Sequence, residues 1–227
     1  MVNLDNRKKR NIIKSLALIS GISGLVILVS SIWPIISYQL TEGNRYKTLL
    51  TPLILEKDEK NQGIFGGDFT KASNWFPEAP KNDQFESSKV SFYTISIPKL
   101  KIHDAVVAIG GEDLTKNLVQ YPGTALPGKN GNAVIFGHSI LPIFYNPKNY
   151  TSIFSTLPTL KEGDDIKIEY DGVSYEFKVE ELFEIYPSDI QILEQNPTDA
   201  FITLVTCVPP GDPRNPKRLI VRARVVL

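Results

Sequence analysis

The stretch FITLVTCVPPGDPRNPKRLIVRARVV, residues 201–226, decides how the chain is read. Its two ends alternate in the way that sets successive side chains on opposite faces of a strand. In FITLVTC, Ile202, Leu204 and Thr206 share one face, and Phe201, Thr203, Val205 and Cys207 share the other. In RLIVRARVV, Leu219, Val221, Ala223 and Val225 make an apolar face opposite Arg218, Ile220, Arg222 and Arg224. A proline-rich loop, Val208 to Lys217, joins the two segments. If they are antiparallel neighbours, the end of the first and the start of the second lie at one edge of a sheet. Cys207 and Arg218 then become neighbours outside the apolar core.

Moving outward from this pair, the chain from Val90 onward reads as short strands parted by turn residues: VSFYTISI, HDAVVAI, NAVIFGH, DIKIEY and VSYEFKVEELFEIY precede the two already described. Asp171-Gly172 is a strong two-residue hairpin signal between DIKIEY and VSYEFKV. Asp113 to Val119 and Thr151 to Leu157 are expected to form one or two short helical turns. Seven or eight such segments indicate an all-β domain, either a closed or nearly closed barrel or a sandwich.

The N-terminus is different in kind. Arg7, Lys8, Lys9 and Arg10 form a basic block, and Leu16 to Ile36, LALISGISGLVILVSSIWPII, carries no charge. About twenty apolar residues at a rise of ~1.5 Å match a hydrocarbon core of roughly 30 Å. Trp33 and Tyr38 fall where interfacial aromatics belong, and the basic block is expected to stay cytoplasmic. A cleaved signal peptide fits less well, because the apolar run is long and ends in Trp-Pro instead of an Ala-x-Ala-like site. The expected organisation is a cytoplasmic tail at 1–10, a transmembrane signal-anchor helix at 11–38, an extracytoplasmic stalk at 39–88 and a β domain at 89–227. The stalk is rich in Lys, Glu, Asp, Asn and Gly and reads as a spacer. Residues 48–55 allow a short helix or a turn broken by Pro52, and Trp75 with Phe76 offers aromatic surface to the domain.

Composition removes other classes. Among 227 residues, 25 basic and 25 acidic side chains leave no net charge, so no nucleic-acid partner is expected. The single cysteine cannot form an intramolecular disulfide, and with only His103 and His138 beside it a structural zinc site is not expected. Asn149-Tyr150-Thr151 matches the glycosylation pattern, a short match of little weight.

Cys207 must therefore act as a lone thiol. A guanidinium beside it favours thiolate and can donate hydrogen bonds to an oxyanion. His138, in GNAVIFGHS, stands at a strand end with Gly137 before it, a small residue that leaves space for a peptide backbone. An imidazole there suits the general acid and base of acyl transfer. His103, in IPKLKIHDAVV, has no such motif and reads as a surface or barrel-rim residue.

TLVTC followed by a loop and KRLIV, preceded by NAVIFGHS and ISIPKLKIHDAVV, resembles the sortase family over about residues 90–227. The resemblance implies a closed eight-stranded β-barrel with one or two short helices. It makes Cys207, His138 and Arg218 the catalytic residues, whereas Arg222 and Arg224 fall outside the family's arginine position. It implies a cysteine transpeptidase that cleaves an LPxTG-like sorting signal between Thr and Gly through a thioacyl-enzyme. The acyl group then passes to an amine of the cell envelope. Thr206 is expected to add a substrate contact through its backbone or hydroxyl. The partners implied are surface proteins bearing sorting signals, an amine acceptor, and the membrane through the N-terminal helix. The localisation implied is a single-pass cell-membrane protein with its N-terminus cytoplasmic.

No cofactor and no required metal are expected, although Glu112, Asp113, Asp164 and Asp165 supply loop carboxylates of the kind some members use for calcium. Pilus-building members commonly carry a C-terminal membrane segment and an Asp-Pro-aromatic lid. Ser73-Asn74-Trp75-Phe76-Pro77 is not that motif, which favours protein anchoring over pilus polymerisation. A cysteine peptidase acting mainly as a hydrolase and a non-catalytic surface-binding barrel are the readings from other classes.

Overall fold

The computed structural model describes residues 3–42, 47–48, 68–79, 92–212, 214 and 217–226. Of residues 48–55, all but Thr48 lie outside these. Helix α1, Asn3–Ser37, runs into a π-helical turn at Tyr38–Glu42. Its span Arg10–Leu40 contains 18 residues with a mean hydropathy of 2.3 and has the length and composition to cross a membrane.

A two-residue strand, Lys47–Thr48, pairs in parallel with Phe183–Glu184, and the eight strands of the barrel are β1 (Phe92–Ile97), β2 (Ile102–Ile109), β3 (Leu118–Gln120), β4 (Gly131–Phe136), β5 (Asp165–Tyr170), β6 (Val173–Ile185), β7 (Ala200–Val208) and β8 (Lys217–Val225). They pair in the order β6–β5–β1–β2–β3–β4–β7–β8, and β8 pairs back onto β6, which closes the barrel. The β2–β3 and β4–β7 pairs are parallel, and the remaining neighbours are antiparallel. Asp171, at φ 51°, and Gly172, at φ 74°, form the β5–β6 hairpin. Closure removes the exposed edges that an open sheet of this size would present.

Two apolar clusters lie on opposite faces of one wall. The interior holds Ile95, Val107, Leu118, Ile135, Ile202, Leu204, Leu219 and Val221. The outer face of β4, β7 and β8 carries Val134, Phe136, Val205, Cys207 and Ile220, and these pack with Ala72, Trp75, Phe76 and Ala79. Burial on both faces explains why β4 and β7 are almost continuously buried and not alternately wet.

Residues 68–79 correct the reading of this part of the stalk as a spacer. Ala72 donates its N–H to the Glu112 carbonyl at 3.0 Å, and Leu114 donates to Thr70 at 2.9 Å, beside an antiparallel bridge between Lys71 and Asp113. Trp75 and Phe76 are fully buried. Burial of a large apolar side chain contributes about 1.5–3 kcal/mol, and these two supply it where the polar tract around them cannot.

Of the two expected helical turns, Thr151 to Leu157 is a run of turns that leads into the 3-10 segment Leu157–Thr159, whereas the other is not helical. Asp113 to Val119 is a turn leading into β3, and the helical turns are 3-10 segments at Ala72–Asn74, Pro98–Leu100, Pro142–Phe144, Leu157–Thr159 and Ile190–Leu193. Two begin with proline and Leu157–Thr159 has it second, where it supplies the φ of a first turn and lacks an N–H the turn would leave unpaired.

Candidate active site

The antiparallel register of β7 and β8 sets Cys207 directly opposite Arg218. Both side chains lie on the outer face, as the alternation of residues 201–226 requires. Both are nonetheless buried, Cys207 at 4% and Arg218 at 1% exposure. The cover is the segment 68–79. The Arg218 guanidinium sits 5.6 Å from the Phe69 ring and 5.4 Å from the Trp75 ring, and it donates to the Trp75 and Lys217 carbonyls at 3.3 Å. Such cation–π contacts are stronger when desolvated, which helps to keep the buried guanidinium in this place.

His138 lies just beyond β4, and the chain is tied there to β7 on both sides. Thr206 donates its hydroxyl to the Gly137 carbonyl at 2.8 Å, and Ser139 donates its hydroxyl to the Cys207 carbonyl at 2.6 Å. The parallel β4–β7 register, with Phe136 beside Val205 and Gly137 donating to Val205, carries His138 to the level of Cys207. Trp75 completes the enclosure, stacked on Phe136 at 5.4 Å and tilted against the His138 ring at 5.9 Å. His138 and Arg218 thus both lie against the Trp75 indole, and Cys207 belongs to the same outer cluster.

A family model described as the sortase domain matches residues 95–226. The chain belongs to the sortase family. It is 28% identical over 183 residues to sortase A of Bacillus anthracis, covering 75% of this chain and 81% of that protein. It is 21% identical over 187 residues to sortase A of Streptococcus agalactiae serotype III, covering 81% of this chain and 72% of that one. Among solved structures it resembles a Clostridium perfringens sortase D5 transpeptidase, with a TM-score of 0.52, 28% identity and coverage of 63% of this chain and 92% of that one. It also resembles a lid mutant of sortase A from Corynebacterium diphtheriae, with a TM-score of 0.53, 30% identity and coverage of 63% and 75%. Membership makes this chain a cysteine transpeptidase acting on surface proteins with sorting signals, and the apolar α1 fits the membrane association of the family.

The electrostatics of the covered sortase site oppose ionisation. Burial pushes the Cys207 thiol up, and Arg218 only partly opposes it. Burial pushes the His138 imidazole down, against the charges of Asp68 and Asp113. Asp113 is itself held down to about 2, first by the hydrogen bond from Thr115 and then by Lys116. Asp68 is lowered by hydrogen bonds from the Thr70 hydroxyl and N–H. Enclosure therefore favours neutral thiol and neutral imidazole, while the fixed charges at the rim favour the ion pair.

Two sequence assignments change. Thr206 is buried and faces away from Cys207, and its hydroxyl is engaged by Gly137, so it ties β4 to β7 instead of offering that hydroxyl to a substrate. Gly137 does not leave space for a peptide. A Cβ there would run into the Phe154 and Leu118 side chains. Gly137→Ala is expected to destabilise the domain by about 1–3 kcal/mol through overpacking, read as a fall in Tm. His103 is exposed, as expected of a rim residue. The sequence reasoning missed Ser139 and the enclosing role of Trp75, for which the one signal is a Trp-Phe pair in a polar tract.

Proposed function

We propose that this sortase cleaves an LPxTG-like sorting signal between Thr and Gly and transfers the threonyl acyl group to an amine of the cell envelope. The observation that carries this reading is the buried Cys207–Arg218 pair in direct register, with His138 tied to the same strand by Ser139. The Cys207 thiolate attacks the scissile carbonyl, forming an S–C bond and a tetrahedral oxyanion that the Arg218 guanidinium stabilises. The C–N bond breaks as the His138 imidazolium gives its proton to the departing glycyl amine. In the second half, the acceptor amine attacks the thioester and gives a proton to His138. The C–S bond then breaks and the Cys207 thiolate returns.

In the same reading, residues 89–227 are the catalytic domain and residues 39–88 join it to the anchor on the extracytoplasmic side. The role is anchoring of individual proteins. Substrate access requires residues 68–79 to leave the outer face, because this segment packs into the outer cluster with Cys207 and sets Trp75 against His138 and Arg218.

The test incubates the protein with a panel of sorting-signal peptides and candidate amines, with products followed by mass spectrometry. Transfer products joined at threonine, with an amine outcompeting water, support the reading. Products carrying only a new carboxylate at every amine concentration would make this a hydrolase and contradict it.

A further inference from the structure

The end of α1 is not a loose tether. Tyr38, the first residue past the helix, is 8% exposed and belongs to the interior cluster of the barrel. Its hydroxyl donates to Glu184 Oε1 at 2.8 Å, and Lys217 Nζ binds Glu184 Oε2 at 2.8 Å. Glu184 is 1% exposed. A carboxylate so placed is costly to bury unless both oxygens are engaged, and here both are. Glu184 lies opposite Leu219, and its neighbour Ile185 lies opposite Arg218. The latch therefore closes on the same end of the barrel as the catalytic edge.

The apolar run of α1 ends at Ile36, two residues before Tyr38. Two residues of helix advance about 3 Å, whereas the headgroup layer is roughly 5–8 Å deep on each side of the hydrocarbon. A barrel gripping Tyr38 has its end within that layer. At this end the turn Pro142–Phe144 follows His138 and is anchored by the Tyr145 hydroxyl donating to the Leu100 carbonyl. Its side chains Ile143 and Phe144 are 68% and 64% exposed. Tyr186, just past β6, is 46% exposed and stacks over Lys217 Nζ, the arrangement of an interfacial aromatic with a cation beside it.

We infer that the catalytic end of the barrel rests on the lipid headgroup layer, with Ile143, Phe144 and Tyr186 as lipid contacts and Tyr38–Glu184–Lys217 as the latch that holds it there. Exposure alone does not argue this, since Phe92 and Val173 are bare at the opposite end of the barrel. The latch does, because it leaves no slack between membrane and barrel. A peptide then reaches Cys207 along the membrane plane. The inference rests on α1 being a membrane anchor.

The test uses the full chain in phosphatidylcholine and phosphatidylglycerol vesicles, with Cys207→Ala removing the native thiol. Single cysteines introduced as Val26→Cys, Phe144→Cys or Val173→Cys carry an environment-sensitive fluorophore, and bromine-substituted acyl chains act as quencher. Position 26 should be quenched strongly, and position 144 roughly twofold or more beyond position 173, given the depth of the headgroup layer. Adding Tyr38→Phe with Glu184→Gln should bring position 144 down to the level of position 173 while position 26 stays quenched. Equal quenching at 144 and 173 with 26 quenched overturns the inference and leaves the anchor standing. Quenching at 144 that survives the latch substitutions overturns the latch. No quenching at 26 overturns the anchor reading and the inference with it.

Discussion

Arg218→Ala is expected to lower peptide cleavage by roughly 10²–10³-fold, the cost of losing one preorganised oxyanion donor in a water-excluded site. Two effects act in the same direction. In the proposed mechanism the guanidinium is the oxyanion donor, and its charge opposes burial in setting the Cys207 ionisation, so its removal also leaves less thiolate at a given pH. Arg218→Lys should recover only part of the loss, because an ammonium lacks the planar fork that packs against the Phe69 and Trp75 rings. The check is kcat/KM for the best peptide beside a thermal melt. The interior cluster is made without Arg218, so the fold should persist while activity falls. Unchanged kcat/KM in the alanine variant would show that the guanidinium only packs.

Trp75→Ala is expected to raise the alkylation rate of Cys207 by roughly tenfold or more near neutral pH, since each unit of pKa below the thiol's buried value multiplies the thiolate fraction about tenfold. Burial is the first cause of both displaced ionisations, raising Cys207 and lowering His138. Taking away the indole reverses both, so the two values approach each other and the share of protein carrying thiolate with imidazolium grows. The alkylation profile should accordingly shift to lower pH as well as rise in amplitude. Trp75 belongs to the outer cluster, whose loss leaves the barrel interior intact. Iodoacetamide labelling across pH on the wild type and the variant makes the measurement, and identical profiles would mean the cover does not gate the thiol.

The barrel was legible in the sequence wherever a strand was long enough to show a period. Residues 201–226 alternate over two runs with a loop between, and that alone placed Cys207 across from Arg218, as the register bears out. β3 escaped notice because it is Leu118–Gln120, too short for a period and ending in a buried glutamine that accepts from the Tyr93 hydroxyl at 2.8 Å. The cover escaped for a different reason. Residues 68–79 have no hydrophobic period because they bind through backbone hydrogen bonds with Glu112 and Leu114 and through one indole on Phe136. Such contacts are set by distant partners and leave no local pattern. Gly137 shows the same limit, since its small size answers to Phe154 and Leu118 and not to a substrate.

In the proposed mechanism Cys207 is the nucleophile. Intact-mass spectrometry of the full chain, quenched during turnover of a sorting-signal peptide, tests it most directly. The expected result is a mass increase equal to the peptide fragment ending in threonine, mapped to Cys207, discharged by added amine and absent from Cys207→Ala. Sustained turnover by Cys207→Ala, with no adduct on the wild-type thiol, would contradict it.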